Sequence, residues 1–172
     1  MLEFPDIPYV ERAGHTLALD LFLPNDKLPT GLMLFVHGGG FLKGDRLGPP
    51  AERLARKLTG LGVAMASISY RLGTHDTELP VPIRRQVYAN RCRAKACGLA
   101  LQYNLMGPRF EAARTDVGAA FEFLRSPQSP QNFSDLSIGL IGISAGGMVG
   151  LSLVCPWSFR MPTCHDLKNQ PA

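Results

Sequence analysis

The chain has 172 residues, 45% of them hydrophobic and 19% charged, with a formal net charge of +4. That suits one soluble globular domain with a real core, and no apolar run nears the ~20 residues that a membrane-spanning helix needs. The charge is lopsided, with +6 in residues 84–114 and −2 in the remainder, and the basic stretch carries only Tyr88, Tyr103 and Phe110 as aromatic residues, a poor platform for stacked bases that argues against nucleic-acid binding.

Taken in order, Tyr9 to Arg12 and His15 to Leu23 read as a hairpin turning at Ala13-Gly14. Leu17, Leu19, Leu21 and Leu23 alternate with Thr16, Ala18, Asp20 and Phe22, so the leucine face is expected to meet the core. Leu32 to Val36 is apolar at every position, as in a parallel strand covered on both faces, and it runs into His37-Gly38-Gly39-Gly40-Phe41. Pro49-Pro50 opens a helix with Leu54, Leu58 and Leu61 on one face, stopped by Gly62. Val63 to Ser69 is the next strand, and Pro80-Val81-Pro82-Ile83 reads as a loop.

Residues 84–115 then break the alternation: Ala94 to Leu101 has helical composition without a clean amphipathic period. The segment reads either as a lid inserted over a site or as foreign sequence, from an unremoved intron or a shifted frame. A helix over 116–125 follows, with Val117, Ala120, Phe121 and Leu124 on one face. The strand 136–142 leads into Gly142-Ile143-Ser144-Ala145-Gly146, and small or apolar residues continue to Val154 at helix length. The tail, 155–172, has neither period. Cys92, Cys97, Cys155 and Cys164 lack the paired short spacings of a zinc site, and whether they form disulfides stays open.

Strand, Gly-x-Ser-x-Gly and helix make the context of a nucleophile elbow, in which the serine takes a strained, positive-φ conformation with its hydroxyl exposed. Ser144 is the nucleophile on this reading, and the N–H of Ala145 faces a developing oxyanion. An apolar strand ending in His-Gly-Gly-Gly is an oxyanion-loop pattern, its glycines letting backbone N–H groups approach a substrate carbonyl. Gly39 and Gly40 supply the other donors, and the triple glycine and the serine turn should converge on one point in space.

With these two motifs the chain resembles the α/β-hydrolase fold, and most closely the carboxylesterases and lipases of the hormone-sensitive-lipase and feruloyl-esterase-like families. The resemblance also takes in His15 to Pro24, Lys43-Gly44-Asp45-Arg46, Ile68 to Leu72 and Asp116 to Arg125. It implies a partial α/β-hydrolase fold: a mostly parallel sheet flanked by helices, with the C-terminal strands missing, in a single incomplete domain over 1–172. It implies serine carboxylic-ester hydrolysis through an acyl-serine intermediate, on a small-molecule ester, with no cofactor and no metal. His37 and Gly38 would shape the oxyanion loop.

The same resemblance places a catalytic Asp or Glu and then a His far downstream of the serine, where only 28 residues remain. His165-Asp166 comes in the wrong order, and His15 and His75 read as solvent-facing or structural. The alternative reading is therefore a non-catalytic fragment or binding module that keeps the hydrolase shape. Loss of strands beyond the elbow would expose an apolar sheet edge open to self-association. Met1-Leu2-Glu3-Phe4-Pro5-Asp6 has no signal-peptide pattern, so the chain as written is expected in the cytoplasm, or outside it if an upstream signal was lost from the gene model.

Overall fold

The computed structural model describes residues 1–12, 14–73, 79–98 and 107–154. Among the described residues nine elements follow one another: β1 (Leu2–Arg12), β2 (His15–Leu23), β3 (Leu32–Val36), α1 (Pro49–Gly60), β4 (Ala64–Ile68), α2 (Val81–Ala96), α3 (Pro108–Arg125), β5 (Ile138–Gly142) and α4 (Ala145–Val154). The five strands form one sheet in the order β1-β2-β4-β3-β5. β3 pairs in parallel with β4 and β5, while β1–β2 and β2–β4 are antiparallel, so every strand but β2 points the same way.

Strand alternation sorts the core into two layers. Leu19 and Leu21 of β2, Leu32, Leu34 and Val36 of β3, and Ala64, Ala66 and Ile68 of β4 pack with Phe110, Ala113, Val117, Ala120 and Leu124 of α3 and with Val149 of α4. On the opposite face Phe22, Phe35 and Met65 pack against Ala51 and Ala55 of α1. With helices on both sides, every position of β3 and β4 but the partly buried Met33 leaves water, which is why those strands carry no alternating polar face.

Several expectations are corrected. β1 begins at Leu2, well before Tyr9, and tolerates Pro5 and Pro8 because it is an edge strand. The second face of β2 is buried too, with Phe22 and the carboxylate of Asp20 under the layer that carries α1. In α1 the deepest positions are Ala51, Ala55 and Thr59, since small side chains bring the helix close to the sheet; Leu54 and Leu58 flank them, and Leu61 is 67% exposed. Gly62 has φ 84, and the helix ends there as expected.

The largest corrections fall between 80 and 115. Val81-Pro82-Ile83 is not a loop but the first turn of α2, where proline is tolerated because the first N–H groups of a helix need no intrahelical acceptor. Among the described side chains of α2, Val87 and Ala94, two turns apart, are the buried ones, too thin a seam to give an amphipathic period. α3 starts at Pro108, not Asp116, and its first two turns place Phe110, Ala112 and Ala113 in the core. That part of the basic segment is built into the fold.

β5 lies at the sheet edge, paired with β3 alone among the described residues, and all five of its residues are half-buried. The opposite edge, β1, carries two prolines and several charges that discourage further pairing, and β5 has neither.

Candidate active site

Register brings the two motifs together. Val36 is level with Ile68 of β4 on one side and with Gly142 of β5 on the other. The loops after β3, β4 and β5 therefore leave the sheet side by side: His37 to Gly44, Ser69 to Gly73, and Ile143-Ser144. Ligands of open α/β sheets bind at such carboxyl ends of strands.

The turn after β5 has the conformation read from its sequence. Ser144 has φ 51 and is exposed. Ile143 N–H donates to Val36 O at 3.1 Å, which pins the turn to β3, and Gly146 N–H donates to Ile143 O at 2.9 Å. The flanking glycines are needed mainly for close backbone packing. A Cβ on Gly142 would lie 2.4 Å from Gly147 N, and one on Gly146 would lie 2.2 Å from Val36 O and 2.7 Å from His37 O. The first turn of α4 thus rests directly on the end of β3.

The glycine loop lies against this turn. A Cβ on Gly38 would meet Ile143 O at 2.9 Å and Ser144 Cβ at 3.4 Å. The loop's carbonyls are held from within: His37 Nδ1 donates to Gly38 O at 2.7 Å, and Leu42 and Lys43 N–H donate to Gly39 O at 3.2 Å each. In a trans peptide the N–H points away from the carbonyl of the same plane, and the described chain has no cis bonds. The N–H of Gly39 is thus turned away from the His37 ring, and that of Gly40 away from Leu42 and Lys43. Among the described residues neither these two groups nor Ala145 N–H has an acceptor.

Phe41 closes the loop with φ 63, costly for a residue with a Cβ, yet its ring is fully buried between Tyr70 and Phe110. Burying a phenyl ring is worth about 1.5–3 kcal/mol against about 1–2 kcal/mol for the left-handed backbone, so burial wins or balances. Its carbonyl accepts from Gly73 N–H at 2.8 Å, tying the loop to the segment after β4.

His37 is 5% exposed and lies face to face with Tyr70, ring centroids 4.3 Å apart at 15°. Burial pushes its pKa below the ordinary 6.5, against weaker upward pulls from the Gly38 carbonyl and Asp45. It is therefore neutral near pH 7, with the proton on Nδ1 because that atom faces a carbonyl. Burial pushes the Tyr70 hydroxyl up to about 12, and it donates to His37 O at 2.9 Å.

Three ion pairs, made by two arginines, brace the surroundings. Asp116, fully buried in α3, holds Arg71 through Nε at 2.9 Å and Nη2 at 2.9 Å, and also accepts Arg71 N–H at 3.0 Å. Arg46 joins the far limb of the glycine loop to three strands or strand ends. Its Nε lies 3.0 Å from Asp20 Oδ2, it bonds Asp6, and its Nη1 donates to Ser69 Oγ at 3.0 Å. The Arg46 Nε–Asp20 contact joins opposite charges but lacks hydrogen-bond alignment.

The structure brings Ser144, Gly38 and the first turn of α4 together, with Gly39 and Gly40 in the same loop. It places His15 exposed at the hairpin turn. His75, His165 and Asp166 lie outside the described residues, and among the described ones no group partners Ser144 Oγ. Nor do the described residues include a cluster of three or more metal-ligating side chains, or a helix long and apolar enough to cross a membrane. Tyr70, Arg71, Arg46, Asp20 and Asp116 all stand in the stretches that carry the family resemblance, but their partners lie 14 to 45 residues away, and no spacing rule reveals them.

No protein-family model matches the sequence, and no curated protein matches it. Solved structures do. The chain is similar to a dienelactone hydrolase from Anabaena variabilis, with a TM-score of 0.53, 21% identity, and coverage of 87% of this chain and 55% of that one. It is similar to a thermophilic esterase from the Planctomycetes species Thermogutta terrifontis, at TM-score 0.55 and 16% identity, covering 92% and 49%. A Pyrobaculum calidifontis esterase matches at TM-score 0.50 and 22% identity, covering 84% and 36%. The chain thus spans about half the length of these proteins or less, and identities this low speak to the fold alone. On strand order, register and these three similarities, the chain has a partial α/β-hydrolase fold.

Proposed function

We propose that the chain carries the nucleophile and oxyanion half of a serine carboxylic-ester hydrolase site. Ser144 Oγ attacks the carbonyl carbon of a small-molecule ester, the alcohol leaves, and water later releases the acyl group from the serine. The N–H groups of Gly39, Gly40 and Ala145 hold the negative oxygen of the tetrahedral intermediate. His37 and Gly38 shape the loop. The observation that carries this reading is the contact of the glycine loop with the positive-φ serine turn, with three N–H groups that have no acceptor among the described residues.

A serine hydroxyl needs a base to take its proton and a carboxylate to orient that base. Without them, oxyanion donors and binding leave only ~10³–10⁴ over water, on the order of a millionth of a complete triad's rate. Fluorophosphonate labelling of the parent chain, lost in Ser144→Ala, is the expected result, because covalent capture needs the serine even where the residual turnover does not. Equal labelling of parent and Ser144→Ala would overturn the reading.

A second reading, a non-catalytic chain that keeps the hydrolase shape, is favoured by the lack of any described partner for Ser144 Oγ. Ser144-dependent turnover by the purified chain would count against it. The uncharged, half-buried β5 edge supports self-association in either case, visible in sedimentation as species heavier than a monomer.

A further inference from the structure

We infer that Tyr70, which no motif assigns, is the positioning residue that sets the direction of the Gly39 N–H. It acts on two successive peptide planes. Its hydroxyl holds the His37 carbonyl at 2.9 Å and so orients the plane between His37 and Gly38. Its ring lies against the His37 imidazole, whose Nδ1 holds the Gly38 carbonyl at 2.7 Å and so orients the next plane, of which Gly39 N–H is the other end. Tyr70 is 3% exposed, and its ring also meets Phe41 edge-on at 6.3 Å, so it bridges both ends of the glycine turn from the segment after β4. The loop's own remaining bonds, from Leu42 and Lys43 to Gly39 O, lie on the third plane, which shares the Gly39 Cα with the second and moves with it. Tyr70 touches no reacting atom; it acts through His37.

The catalytic half of this inference rests on the ester-hydrolase reading, and the loop-holding half does not. Tyr70→Phe in the full 172-residue chain keeps the ring and removes the hydroxyl. Amide exchange by NMR is expected to be about tenfold faster at Leu42 and Lys43, while the β3 and β4 amides keep parental rates. Fluorophosphonate modification of Ser144 is expected to slow about tenfold, because the displaced donor serves the phosphoryl oxygen.

Unchanged exchange at Leu42 and Lys43 would overturn the inference, as would equal loss of protection throughout β3 and β4. Faster loop exchange with an unchanged rate of Ser144 modification would also overturn it. If Ser144 is inert in the parent chain, the ester-hydrolase reading fails on its own account, and exchange still decides whether Tyr70 holds the loop.

Discussion

Replacing Gly146 with alanine tests whether the serine turn is packed directly on the oxyanion strand. The new Cβ would fall 2.2 Å from Val36 O and 2.7 Å from both Val36 C and His37 O. All three are backbone atoms, so no side chain can swing aside, and the helix must retreat by roughly 1 Å to restore ordinary contact. Two effects compete. Alanine inside a helix gains about 0.5–1 kcal/mol over glycine, whereas forcing a methyl into packed backbone costs about 1–3 kcal/mol. The clash should win, lowering stability by about 2 kcal/mol in urea unfolding. A displacement of about 1 Å between nucleophile and donors should slow fluorophosphonate labelling of Ser144 on the order of 100-fold. Gly40→Ala is the control: its Cβ meets nothing within 4 Å, so only the left-handed φ of 63 is penalised, by about 1–2 kcal/mol. A Gly146→Ala protein as stable as the parent, with its labelling rate intact, would refute the packing argument.

Asp116→Ala strands the Arg71 guanidinium in a buried setting and should destabilise the chain by about 3–5 kcal/mol, most of it recovered by adding Arg71→Met; a loss below about 1 kcal/mol in urea would contradict the ion pair's role. His37 has a folded pKa below its unfolded value of 6.5, so the unfolded chain takes up the proton first. Its contribution to stability is complete above 6.5 and is lost as pH falls through the folded pKa. Urea midpoints at about pH 7.5 and about pH 5.5 should therefore differ more for the parent than for His37→Asn.

What could be read from the sequence depended on how local the cause is. β3 and the strand before Ser144 announce themselves through unbroken runs without a polar side chain, β4 through a run interrupted by Ser67, and the positive φ of Ser144 follows from its strand-to-helix setting. Gly142 and Gly146 were legible as necessary; the reason for Gly142 is local, a Cβ there meeting Gly146 and Gly147 at 2.4–2.5 Å, but that for Gly146, 2.2 Å from Val36 O, needs β3 beside β5, about a hundred residues apart in the chain. α2 escaped because two buried positions make no period. The start of α3 escaped because arginines hide Phe110, Ala112 and Ala113, whose face is defined by the sheet and not by their neighbours. Likewise nothing near Tyr70 in the sequence says that its hydroxyl reaches His37, or near Asp20 that its counter-charge is Arg46.

The most direct test of the central claim is a crystal structure of the chain after reaction with a fluorophosphonate. The account predicts a phosphonyl group on Ser144 Oγ, its phosphoryl oxygen about 2.7–3.1 Å from the backbone nitrogens of Gly39, Gly40 and Ala145. An unmodified Ser144, or an adduct whose phosphoryl oxygen points into solvent away from those three groups, would contradict it.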